Sequence, residues 1–274
     1  MDALLHNRDF MRKLQDVSPE VVTAYQNGKP YPHAIFDDFF PVEVLDEVLA
    51  NFPKPGQVSW QVFDNNNEKK LAFRQAESLP TPIREFLYFL NAHPMLQFLE
   101  KVTSIPGLIP DPSFAGGGCH QIEPGGKLKV HVDFNKLTSV NLDRRLNLLV
   151  YLNKDWQEEY GGHFELWDAE SKGCVTKVLP IFNRAVVFST NETSYHGHPH
   201  PLTCPPDRTR KSIAIYLYTN GRPEHEKVAE HTTVFMDDEV KHSGGLKEWV
   251  KYVTPPFVID AARFCKRQIV GKKS

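Results

Sequence analysis

Leu128-Lys-Val-His-Val-Asp133 and, after a polar break, Leu146-Asn-Leu-Leu-Val-Tyr-Leu152 decide how this 274-residue chain folds. Both are short runs rich in aliphatic and β-branched residues between polar or turn-forming stretches, a pattern that favours strands over helices. Further runs read the same way: Cys119 to Glu123 before the turn Pro124-Gly-Gly, His163 to Trp167, Arg184 to Thr190 and Ser212 to Tyr218. Such a series between about Gly118 and Thr219 predicts a sandwich or barrel. Upstream the pattern changes. Asp9 to Leu14 is helically periodic, Ser18-Pro19 opens a second helix with a serine cap and proline in the first turn, and Thr81 to Leu90 and His93 to Thr103 are further helices. His33-Ala-Ile-Phe-Asp-Asp-Phe-Phe40 is a strand candidate, and Pro41 then starts a helix whose Val42, Leu45, Val48 and Leu49 share a face.

After about Arg222 the chain reads as a polar connector followed by helices, Gly245 to Val253 and Val258 to Val270, separated by Pro255-Pro256. The expected organisation is one domain: N-terminal helical and strand support over 1–117, a β core over 118–220 and a C-terminal helical extension over 221–274. With 41% hydrophobic residues the chain can bury a substantial core. A net charge of -2 and a pI near 6.6 argue against a broad surface for phosphate backbones, so no nucleic-acid partner is expected. Cys119, Cys174, Cys204 and Cys265 are widely spaced without a CxxC pair, which fits reduced thiols and a cytoplasmic location. No run approaches a membrane span, and charge interrupts the N-terminus where a signal peptide needs an apolar stretch. Oligomeric state is not legible.

Strand parity brings particular side chains together. His131 and Asp133 project on one side of their strand and Val132 on the other. Two imidazoles and one carboxylate on one face of a metal make the facial triad that leaves Fe(II) positions open for chemistry. A third ligand can come from His196-Gly-His-Pro-His-Pro201, in which His198 and His200 compete with His196. Arg210 and Ser212 share a face, which favours Arg210 over the nearby Arg208 as a functional cation. Tyr151 shares a face with Leu149 and Asn147, opposite Leu146, Leu148, Val150 and Leu152. Arg144 and Arg145 read as locally paired charges, Gly161-Gly162 as a turn, and Trp156, Phe164 and Trp167 as packing residues.

The order of these motifs, His131-x-Asp133, Tyr151-Leu-Asn-Lys-Asp-Trp156 with Gly161-Gly162, a distal histidine and Thr209-Arg-Lys-Ser212, resembles the 2-oxoglutarate- and Fe(II)-dependent oxygenases, closest to the prolyl-4-hydroxylase-like branch. The resemblance spans roughly 118–220. It implies a mainly β fold with flanking helices, a double-stranded β-helix or jelly roll, with Fe(II) held by His131, Asp133 and His196. It selects His196 among the histidines by its position before Gly197. It implies that Arg210 binds the far carboxylate of 2-oxoglutarate through two parallel guanidinium donors, helped by Tyr151 and Ser212. Related enzymes place a tyrosine before the glycine turn leading to the first metal strand. This chain has His120-Gln-Ile-Glu there, so Gln121 or His120 is the expected substitute. Collagen-type prolyl hydroxylases use lysine where this chain has Arg210. The implied reaction is hydroxylation of an unactivated C–H bond with O2 and 2-oxoglutarate as cosubstrates, releasing succinate and CO2. The expected substrate is a protein residue or amino acid. A small metabolite or glycan intermediate is the alternative within the chemistry, and a non-catalytic jelly-roll binding module or a different metal enzyme the alternatives outside it.

Overall fold

The central strands of this protein are covered on both faces, by helices on one side and by a second layer of strands on the other. The computed structural model describes residues 2–236. The helices are α1 (Asp2–Leu5), α2 (Arg8–Gln15), α3 (Pro19–Gln26), α4 (Val42–Ala50), α5 (Thr81–Leu90) and α6 (His93–Thr103). The strands are β1 (His33–Phe36), β2 (Gln61–Asp64), β3 (Glu68–Phe73), β4 (Ile109–Pro110), β5 (Gly118–Ile122), β6 (Lys127–Val132) and β7 (Lys136–Leu137). They continue as β8 (Leu142–Tyr151), β9 (Phe164–Trp167), β10 (Cys174–Val178), β11 (Ala185–Ser189), β12 (Tyr195–His198), β13 (Arg210–Thr219) and β14 (Val234–Phe235).

The strands pair antiparallel in the order β1-β11-β8-β13-β5-β3-β6-β12-β9-β10, curled into a half-barrel. Strands β11, β8, β13 and β5 form one layer and β6, β12, β9 and β10 the other, with β3 inserted between β5 and β6. This is the jelly-roll core that the resemblance implied, within the sandwich-or-barrel class read from the strand pattern, with helices flanking it. Alternation along β8 displays the two covers. Leu146, Leu148 and Val150 join Ile213 and Ile215 of β13 in the large core under the helices. Tyr151 faces the interlayer space with Phe164, Leu166, Val186 and Phe188. Burying each such large side chain contributes roughly 1.5–3 kcal/mol.

The helical layer is built on an aromatic cluster. The Phe39 and Phe40 rings meet edge to face at 4.8 Å, and Phe40 meets Phe86 at 5.0 Å. These two phenylalanines correct the expected strand over 33–40. Asp38 has φ +47°, so the strand stops at Phe36 and the chain turns both rings into the core. Asn183 holds the turn in place: its Oδ1 accepts from Phe40 N at 2.9 Å, and its Nδ2 donates to Phe40 O at 2.8 Å. The two predicted helices at 81–90 and 93–103 have the expected bounds, and Ser104, with φ +58°, caps the second. The expected C-terminal helices lie outside the described residues. Among the described residues no helix is long and apolar enough to cross a membrane, and Cys119, Cys174 and Cys204 are unpaired.

Past β13 the chain returns across the mouth of the half-barrel. Val234 and Phe235 of β14 pair with Val132 and His131 of β6, and Met236 N donates to Val130 O at 2.9 Å. His231 pins this strap. Its Nε2 lies 2.8 Å from Glu192 Oε1, and its backbone N–H donates to Asn135 Oδ1 at 3.0 Å. The Glu192 bond raises the His231 pKa above the ordinary histidine value, against the opposing effect of burial. A raised folded-state pKa stabilises below the unfolded value of about 6.5 and loses that contribution as pH rises through the folded value. Hydrogen-exchange protection factors at Met236, corrected for intrinsic exchange, are therefore expected to fall as pH rises above about 6.5. A His231→Gln variant should abolish the pH dependence.

Candidate active site

Strands β6 and β12 are antiparallel neighbours with His131 directly opposite His196, so register alone sets the two rings side by side, 4.5 Å between centroids. Gly197 permits the close approach, since a Cβ there would lie 2.8 Å from Leu128 O and 3.0 Å from Lys129 O. Asp133 follows the end of β6 on the His131 side. Its Oδ1 is 3.6 Å from His131 Nε2 and its Oδ2 3.4 Å from His196 Nε2. Ligands bound at about 2.1 Å and at right angles lie about 3 Å apart, so these separations fit one ion with little adjustment. One ligand atom from each residue falls within 4.8 Å of the others.

Each imidazole is already oriented for such a role. Nδ1 of His131 lies 2.9 Å from Lys129 O, and Nδ1 of His196 lies 2.9 Å from Ser194 O. Donation from each Nδ1–H leaves the Nε2 lone pair facing Asp133, the arrangement that fixes tautomer and ring direction in metal sites. Burial lowers the His196 pKa to about 4, with Asp133 opposing, so the ring is neutral at pH 7 and its Nε2 is available. Phe188 and Phe164 hold the ring from the interlayer core, at 4.8 and 5.5 Å between centroids.

Asp133 is the most supported group in the site. Arg144 Nη2 and Asn147 Nδ2 each donate to its Oδ2 at 2.8 Å. Burial would raise the carboxyl pKa, but the Arg144 charge, with the two histidines, holds it well below the usual carboxylate range. The Arg144 side chain is fully buried, its guanidinium carbon 3.5 Å from the Tyr216 ring centroid and 4.4 Å from that of Phe134. The locally paired reading of Arg144 thus finds its partner in the predicted triad, and Arg145 pairs with Glu226 at 3.2 Å. Arg144 Nη1 is buried without a partner.

A second group of predicted residues lines the same cavity of about 80 Å3 as the triad. Ser212 and Tyr151 are register partners on β13 and β8. Arg210 is buried, its Nε donates to Gly162 O at 2.8 Å, and its Nη2 lies 3.4 Å from Tyr151 Oη. Gly162 does more than turn the chain. It has φ +69°, and a Cβ there would meet Arg210 Cδ at 3.0 Å and Leu202 Cδ2 at 2.5 Å. A larger residue would displace the guanidinium. Arg208 is elsewhere, its Nη1 donating to Lys154 O at 3.1 Å.

Gln121 does not line this cavity, which corrects its expected binding role. Alternation along β5 sends Gln121 away from the cavity, where its Oε1 accepts from Thr209 Oγ1 at 3.1 Å, and turns His120 and Ile122 inward. Several lining groups were not expected. Asn147 was on the predicted face without a role, and Lys70 arrives from the unpredicted β2–β3 hairpin, its Nζ 2.9 Å from Glu68 Oε2. His198, also on the wall, belongs to no ligand cluster with the triad. A wider cavity of about 580 Å3 adjoins His131, Asp133 and Arg144, walled by the β2–β3 hairpin and by Thr233 and Phe235 of the strap.

Comparison with known proteins bears on this arrangement. Residues 117–218 match the family described as the 2OG-Fe(II) oxygenase superfamily. The matched stretch, the β core of the chain, is a 2OG-Fe(II) oxygenase domain. It is a 2-oxoglutarate-dependent Fe(II) dioxygenase, with Fe(II) as metal and 2-oxoglutarate and O2 as cosubstrates. Solved structures share the oxygenase's fold at low sequence identity. A Pseudomonas putida prolyl-4-hydroxylase superposes with a TM-score of 0.53 at 16% identity, covering 74% of this chain and 98% of that one. A Trichoplax adhaerens prolyl hydroxylase, solved with a peptide fragment of a hypoxia inducible factor oxygen degradation domain, gives 0.52 at 17% identity over 77% and 91%. HygX from Streptomyces hygroscopicus, solved with nickel and 2-oxoglutarate, gives 0.52 at 11% over 80% and 98%. No curated protein sequence matches the oxygenase significantly.

Proposed function

We propose that the described residues form one oxygenase domain that hydroxylates a residue of a polypeptide, prolyl in the first instance, with His131, Asp133 and His196 holding Fe(II). Arg210, Tyr151 and Ser212 then hold the far carboxylate of 2-oxoglutarate. The observation that carries this reading is the convergence of both groups on one cavity, a two-histidine carboxylate set with free Nε2 atoms and a buried guanidinium with unfilled donors. Bound Fe(II) and 2-oxoglutarate supply the activation of O2, one oxygen atom entering the substrate C–H bond and the other entering succinate as CO2 leaves. The protein's share is placement. Arg144 and Asn147 hold Asp133, and the backbone carbonyls of Lys129 and Ser194 hold the rings.

The adjoining 580 Å3 cavity suits a peptide segment or an amino acid. Arg144 Nη1, buried without an acceptor at its wall, would donate to a carbonyl oxygen of the substrate. The peptide bound to the Trichoplax enzyme supports a polypeptide substrate. The unpaired cysteines support a reducing, cytoplasmic setting.

The test is anaerobic titration of the Fe(II)-loaded protein with 2-oxoglutarate, following the visible charge-transfer band of a metal-chelated 2-oxo acid. Arg210→Ala is expected to weaken binding roughly 30- to 150-fold, since charge-assisted bonds to a carboxylate contribute about 2–3 kcal/mol. Unchanged affinity in this variant would remove Arg210 from the role. Proline-containing peptides are then assayed for succinate release and the mass gain of one oxygen atom. Turnover only with free amino acids or sugars would overturn the polypeptide assignment.

A further inference from the structure

The metal reading leaves two histidines of the inner cavity unused, His120, whose Nε2 lies 3.1 Å from Gly116 O, and His198. The second has no such partner. It sits on β12 two residues beyond His196, with the register slipping between them, so that His198 stands opposite Leu128. It is 3% exposed, and neither ring nitrogen has a hydrogen-bond partner. It shares the cavity wall with Arg210, Ser212, Tyr151 and Leu128. Leaving a buried polar group unpaired is costly, so a ring with both nitrogens unsatisfied beside a guanidinium marks a place where a ligand completes the bonding.

The acceptor it awaits can be deduced from its surroundings. An imidazole has at least one N–H donor in either protonation state. Arg210 spends Nε on Gly162 O and reaches Tyr151 Oη only at 3.4 Å, which leaves Nη1 and most of Nη2 for a ligand. Ser212 and Tyr151 add hydroxyl donors. The cavity has room for roughly five waters, hence for a small molecule and not a polymer segment. Donors of this number on one wall fit a single carboxylate. Resting on the cosubstrate assignment above, we propose that His198 is an additional binding residue for 2-oxoglutarate, donating an N–H bond to the far carboxylate beside Arg210. His198 thereby helps select a dicarboxylic 2-oxo acid over a monocarboxylic one.

The experiment compares two acids on the Fe(II)-loaded full chain under anaerobic conditions, 2-oxoglutarate and 2-oxobutyrate, which lacks the far carboxylate. Dissociation constants come from the charge-transfer band for wild type, His198→Val and His198→Gln. The expected result is about tenfold weaker 2-oxoglutarate binding in His198→Val, 2-oxobutyrate binding within about twofold of wild type, and substantial recovery in His198→Gln, which restores a donor. Equal weakening for both acids would assign His198 a structural role and overturn the proposal, as would unchanged 2-oxoglutarate affinity in His198→Val. A wild type that forms no band with 2-oxoglutarate overturns the cosubstrate assignment and the His198 role with it. A normal wild-type band with an unaltered His198→Val titration overturns the His198 role alone.

Discussion

Arg144→Leu is expected to lower the melting temperature of the metal-free protein by about 10 °C, from a loss of about 3–5 kcal/mol. The reason lies in what the substitution leaves behind. Leucine fills part of the slot between Tyr216 and Phe134, so packing is only partly lost. Asp133, however, keeps a negative charge that the Arg144 guanidinium neutralised at 2.8 Å, and only Asn147 remains to donate to that oxygen. A divalent cation at His131, Asp133 and His196 supplies the missing positive charge. Thermal melts with and without Mn(II) should therefore show a larger metal-induced stabilisation in the variant than in wild type. Identical metal increments would mean that Asp133 is not a ligand, whatever the size of the initial loss. Arg144→Lys will not rescue, because one ammonium cannot bridge Asp133 and Asn147 while stacking between two rings.

His131→Ala and His196→Ala are each expected to reduce turnover at least about 1,000-fold, equivalent to about 4 kcal/mol of transition-state stabilisation. Stability should suffer far less. The ring of His131 makes one hydrogen bond, to Lys129 O, and removing it orphans no buried charge. The expected stability loss is within about 2 kcal/mol. Asp133→Ala abolishes turnover equally but strands Arg144 and Asn147 inside the protein, so its loss of activity is entangled with loss of fold. The histidine variants are the cleaner test. Retention of more than about a tenth of wild-type turnover with normal metal content would remove either histidine from the triad.

How much of this was legible beforehand depended on whether a residue's role is local. His131 and Asp133 stand two apart on one strand, and parity alone places them together. Tyr151 and Asn147 were separated from Leu148 and Val150 by the same rule, and the two faces do meet different partners. Gln121 failed because alternation states that Gln121 and His120 point oppositely, without stating which one faces inward. That choice is made by Cys119, the same-parity neighbour of Gln121, which packs in the helix-side core. The β2–β3 hairpin escaped notice because Glu68-Lys-Lys-Leu-Ala-Phe has little strand propensity, and pairing to β5 and β6 overrides composition. Tyr195-His-Gly-His stood outside the strand series, since its strand character depends on neighbours on both sides, β6 and β9. Arg144 was seen as locally paired, but its partner across the turn at 133–144 was invisible until the chain was folded.

The facing pair of His131 and His196 has a further consequence. Their spacing is set by the alignment of two backbone ladders and not by the conformation of a loop, and a slip of one residue would turn one of the rings to the opposite surface. Metal affinity in this protein is therefore a gauge of strand alignment. Competition against a chelator of known strength, followed through a denaturant series, would report on the β6–β12 ladder itself, with the ion acting as a probe of how long those two strands stay correctly zipped.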